Sequence, residues 1–65
     1  MSYAKLRGRI REMYGTQAAF AKSLEMDPSS LSGKLTGKTE WTRIEIEKAC
    51  GLLGVPLAEA YLYFF

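Results

Sequence analysis

Glycines and prolines cut this chain into pieces that suit only a bundle of short helices. Gly15, Gly37 and Gly54 are natural helix stops, and Asp27-Pro28 and Pro56 are natural starts. Glycine enters the left-handed region cheaply and so ends helices. Proline at a first helical position lacks an N–H that has no intrahelical partner there anyway. Between these marks the apolar residues recur three and four apart, and no segment sustains the period-two alternation of a strand. The expectation is an all-α chain, a compact five-helix domain spanning residues 1–65, near the lower size at which one core suffices.

The first helix is expected over residues 3–14, with Leu6, Ile10 and Met13 inward and Tyr3 and Tyr14 beside them. Thr16 caps a second helix that runs to about Leu24, marked by Phe20, Ala21 and Leu24. A third runs from Pro28 to about Thr36, behind an Asp27 cap, with Leu31 and Leu35 inward. Thr42 and Glu45 have the spacing of a capping box, opening a fourth helix with Ile46, Ala49, Cys50 and Leu53 inward. Pro56 opens a fifth that continues to the end.

Composition narrows the function. Apolar residues make up 48% and charged residues 25%, an ordinary globular balance. There is no histidine and a single cysteine, so the chain lacks a disulfide framework, a zinc ligand set and the commonest neutral-pH acid–base. Without paired carboxylates in one inward pocket or a phosphate-cradling glycine loop, an enzyme is set aside, and no metal, cofactor or small-molecule ligand is expected. No apolar run reaches the roughly 18 residues of a membrane span, and the first residues lack a signal peptide's apolar stretch. A cytoplasmic location is the expectation. The net charge is +2 but uneven: residues 1–38 hold seven basic and three acidic residues, residues 39–65 two and four. A basic first half points to a polyanion partner.

Residues 16–37 carry the most information. Two helices of about nine residues are joined by a three-residue turn, with a small Ala21 where steeply crossed helices must approach. Phe20, Leu24 and Met26 would seal the angle from one side, Leu31 and Leu35 from the other. In its Thr16-Gln17-Ala18-Ala19-Phe20-Ala21, Leu24, Ser30-Leu31 and Thr36-Gly37-Lys38, followed by Ile46 and Leu53-Gly54-Val55, the chain resembles the helix-turn-helix domains of bacteriophage Cro and repressor proteins over residues 3–60. The resemblance implies a lambda-repressor-like domain whose helix 28–36 enters the DNA major groove. Members of that family usually carry glycine where this chain has Glu25, and an apolar residue where it has Lys34. A left-handed backbone at the first position costs a residue with a Cβ about 1 kcal/mol. At the second, the lysine stem could cover the core edge with its ammonium outward.

The expected DNA-facing residues are Gln17, Pro28, Ser29, Ser30, Ser32, Gly33, Lys34, Thr36, Lys38 and Arg43. The resemblance sets Gln17 on a phosphate or an adjacent base. Ser29, Ser32 and Gly33 are expected toward bases, with Ser30 and Thr36 near them. These side chains are short and their hydrogen-bond code permissive, so phosphate contacts from Lys34, Lys38 and Arg43 should supply more of the affinity. Several roles stay open. Lys34 either touches DNA or only covers the core. Arg7, Arg9 and Arg11 are either phosphate contacts or a solvated face. Ser29 and Ser30 either read bases or cap the helix. Cys50 reads as a small core residue and Trp41 as a packing anchor between the third and fourth helices.

The last ten residues carry two apolar stripes. Leu57, Ala60, Tyr61 and Phe64 would face the core; Ala58, Leu62 and Phe65 would face a second copy of the chain or fold back onto the first and fourth helices. The expected function is a Cro-like repressor, a dimer on double-stranded operator DNA, formed in solution or only on DNA, in a bacterial cytoplasm or nucleoid. The alternative is a helical protein-interaction module, anti-repressor or antitoxin-like, with weak or no DNA binding.

Overall fold

The computed structural model describes residues 3–65, and their regular structure is entirely helical. Helix α1 spans Ala4–Tyr14, α2 Gln17–Leu24, α3 Pro28–Leu35 and α4 Arg43–Leu53. A 3₁₀ turn at Leu57–Glu59 and the single-turn helix α5, Tyr61–Phe64, complete the chain. The domain is all-α.

The starts follow their local chemistry. Thr16 accepts a hydrogen bond from the Ala19 N–H, Asp27 from that of Ser29 with Pro28 just inside, and Thr42 and Glu45 form both halves of the capping box. Each cap satisfies N–H groups that have no partner within the helix. Gly15 and Gly54 close α1 and α4 with positive φ.

Leu6, Ile10, Phe20, Ala21, Leu31, Leu35, Ala49 and Leu53 are essentially buried and form one core with Leu24, Cys50, Val55, Ala60 and Phe64. Burial pushes the Cys50 thiol above its ordinary pKa, as befits packing rather than chemistry. Met13, expected inward, is 48% exposed. Tyr14 takes its place: its ring packs on Phe20 at 5.1 Å between centroids and its hydroxyl donates to the Leu52 carbonyl at 3.4 Å. The last turn of α1 thus faces the core through a larger side chain one residue on. Trp41 is a packing anchor, edge-on to Phe64 at 4.9 Å. That seats it against α5.

The fifth segment departs furthest from expectation. Three residues per turn after Pro56 break the helical phase, so Ala60 and Phe64 are buried while Leu57 and Tyr61, expected beside them, are exposed.

Glu25 joins α2 to α3 at φ 59°, ψ 42°, the left-handed conformation. Its carboxylate pairs with the Lys48 ammonium at 2.8 Å, in solvent. Exposed pairs contribute little, whereas the Cβ strain is removed by glycine. Lys48 would keep its second bond, to the Leu24 carbonyl. Glu25→Gly should therefore raise Tm by about 2–4 °C, measured by thermal unfolding. A lowered Tm would mean that the Lys48 pair outweighs the backbone strain.

Candidate nucleic-acid interface

Helix α3 turns Leu31 and Leu35 into the core and leaves Pro28, Ser29, Ser30, Ser32 and Thr36 exposed. Asp27 fixes its start. The Ser29 hydroxyl and then the Ser29 N–H donate to this carboxylate and hold it below the ordinary carboxylate pKa, against a small opposing effect of burial. At the other end the Thr36 hydroxyl donates to the Gly33 carbonyl at 3.2 Å. Two of the hydroxyls on this face therefore have their proton engaged and offer only lone pairs outward. Among the described residues the Ser30 and Ser32 hydroxyls are donors with no acceptor. The Ser29 hydroxyl is thus a donor to the Asp27 cap.

Gly33 is partly covered. The chain after α3 folds back over it, with the Lys38 and Thr39 N–H groups donating to its carbonyl at 2.9 and 3.4 Å. A Cβ there would meet the Thr39 hydroxyl at 3.6 Å, an ordinary contact. One groove of about 410 Å³ runs along α3, lined by Ser29, Ser30, Gly33, Lys38 and Thr39, with Met26 and the Lys34–Glu45 pair in its wall. Met26 and Glu45 were legible only as core and cap residues, and Thr39 was not singled out at all. Its only signal was its place in the loop after Gly37. A second concavity, of about 500 Å³, lies between α1 and the start of α2, lined by Arg7, Arg11, Thr16 and Gln17 among others.

The cations divide into two groups. Arg7 donates to the Leu35 carbonyl at 3.2 Å, Arg9 to the Leu53 carbonyl at 3.0 Å, and Lys48 to the Leu24 carbonyl at 3.2 Å. Each is a positive group brought from another helix to the C-terminal end of α3, α4 or α2. There unpaired carbonyls and the helix dipole favour it. Arg9 also pairs with Glu12 at 2.9 Å. Arg7 and Arg9 tie α1 to the ends of its neighbours.

Lys34 belongs with this structural group. Its ammonium lies 2.8 Å from Glu45, donates to the Glu40 carbonyl at 2.9 Å, and sits 6.0 Å from the centre of the Trp41 ring. Only 12% of its side chain is exposed. Its head as well as its stem is turned toward the protein. Burial pushes the Glu45 carboxyl up, but hydrogen bonds from Lys34 and Thr42 and the Lys34 charge prevail and hold it below the ordinary carboxylate value.

The remaining five cations face solvent, Lys5 among them over the Tyr63 ring. Arg11, Lys22 and Lys38 have no ion pair among the described residues. Arg43 is paired with Glu47 at 3.1 Å but is 89% exposed, a contact that salt or a competing anion replaces readily. Gln17 occupies the first position of α2 and is exposed.

At the opposite end of the sequence, Ala58, Leu62 and Phe65 are exposed, the last at 72%, together with Leu57 and Tyr61. No helix among the described residues is long and apolar enough to cross a membrane.

Fold and surface together define a small all-α protein. The chain belongs to a family of proteins of unknown function, DUF739, which matches it over residues 1–65. No curated protein matches it.

Proposed function

We propose that this chain is a DNA-binding transcriptional regulator of the Cro type, which lays α3 in the major groove of operator DNA. The observation that carries the reading is the division of the cations. Arg7, Arg9, Lys34 and Lys48 are committed to the protein's own carbonyls and carboxylates. Lys38, with no ion pair among the described residues, lines the same groove as Ser29 and Ser30. Gln17, Lys38 and Arg43 then serve as phosphate contacts, and Ser30 and Ser32 as donors to base edges. The short side chains let the α3 backbone approach the groove floor closely.

In this reading a second copy of the chain covers Ala58, Leu62 and Phe65, with Leu57 and Tyr61 around them. Two α3 helices about 34 Å apart would read a near-palindromic site and repress by occluding a promoter. The experiment is binding to random-sequence duplex DNA by fluorescence anisotropy across a salt series, with equilibrium sedimentation of the same samples. The expected result is a steep fall of affinity with salt and a dimer on DNA. No binding even at about 50 mM salt would overturn the reading. The exposed apolar set around Leu62 and Phe65 would then favour the helical protein-interaction module.

A further inference from the structure

Lys34 stands at the junction of three elements. It projects from α3, reaches the third residue of α4 at Glu45, and holds the intervening segment by the Glu40 carbonyl. Glu45 Oε1 accepts from Lys34 and from the Thr42 N–H at 2.9 Å, so one carboxylate oxygen joins the α4 cap to α3. The Trp41 ring lies beneath the ammonium. Within this closed segment, residues 36–42, sit Lys38 and Thr39, whose N–H groups both bond the Gly33 carbonyl.

We infer that Lys34 is a positioning residue: with Glu45 it clamps the α3–α4 segment so that Lys38 is presented along the outer face of α3. The mechanism is chemical division of labour between two lysines four residues apart. Lys34 has its donors satisfied internally and a carboxylate at 2.8 Å, so its charge is neutralised before any polyanion arrives. Lys38 has no such partner among the described residues and keeps its charge for an external one. A segment tethered at both ends loses less freedom on binding than a mobile one. The inference rests on the DNA-binding reading for its consequence, while the clamp itself is tested without DNA.

The test uses Lys34→Met, which retains an apolar stem of similar length in this largely covered place, and Glu45→Gln, which keeps an acceptor for Thr42 but removes the charge. In hydrogen exchange, the Lys38 and Thr39 amides should exchange about tenfold faster in both variants, while α4 amides keep their rates. Against random duplex DNA, Lys34→Met should bind several-fold more weakly with an unchanged salt slope. Glu45→Gln should also weaken binding, although it removes a negative charge. A slope reduced by about 0.9 in Lys34→Met, with unchanged exchange, would make Lys34 a direct phosphate contact and overturn the inference. Unchanged exchange and unchanged affinity would overturn it as well. Faster exchange in the variants, with a wild type that does not bind DNA, would leave the clamp standing and remove the DNA-binding reading instead.

Discussion

Phe20→Ala should cost about 3–5 kcal/mol and leave much of the protein unfolded at ambient temperature. Phe20 is the largest fully buried side chain, and it packs on Tyr14 at 5.1 Å. Its removal takes away apolar burial and opens a cavity that short, mutually braced helices can close only in part. A domain of this length has a total stability of roughly 3–10 kcal/mol at the usual value per residue, so the loss is comparable to the whole. Urea unfolding followed by far-UV circular dichroism gives the value. A cost below about 1 kcal/mol would mean that α2 does not seat this ring in the core as described.

The second large effect is expected from adding volume. Ala21 is fully buried on α2, the helix that packs against α1, α3 and α4. Its carbonyl accepts the Met26 N–H at 2.9 Å, so any shift of its backbone also disturbs the turn into α3. Ala21→Leu should destabilise by about 1–3 kcal/mol through overpacking. Ala19→Leu, two residues away and exposed, should stay within about 0.5 kcal/mol of the parent. Equal effects at the two positions would contradict the assignment of Ala21 to the crossing. Because α3 is carried on α2, Ala21→Leu should also weaken DNA binding beyond its effect on folding.

Features set by neighbouring residues were legible before the structure. Thr16, Asp27 and Thr42 each cap within three residues, and the turn with Glu25 in place of glycine does adopt the left-handed backbone. The stripes of α2, α3 and α4 follow the same local period. Met13 and Tyr14 were exchanged because periodicity gives a direction only to within a residue, and the position of Phe20 decides which of the two faces inward. The last segment was misjudged because a 3₁₀ turn after Pro56 resets the phase, leaving Leu57 and Tyr61 outside.

The candidate site was less legible for a related reason. Arg7, Arg9 and Lys48 find their carbonyls 28, 44 and 24 residues away, and nothing in the local sequence distinguishes them from surface charges. Lys34 was grouped with Lys38 and Arg43 as a charge beside α3; its partner Glu45 was visible only as a capping residue. Gly33 looked outward on a helical wheel, which takes no account of the loop that folds back over it. The exposed serines of α3 were read correctly as exposed, since they oppose Leu31 and Leu35 on a short helix.

The salt dependence of duplex binding in matched charge variants tests the central claim most directly. Random-sequence DNA, the wild type, Lys38→Ala, Arg43→Ala and Lys5→Ala would be compared by anisotropy over one salt series. Lys5 serves as the control because it lies over the Tyr63 ring, 5.2 Å from its centre, at the α5 end of the domain. The account predicts a steep negative slope for the wild type, shallower by about 0.9 in Lys38→Ala and in Arg43→Ala and unchanged in Lys5→Ala. A flat slope in the wild type, or the same change in all three variants, would contradict an interface centred on α3.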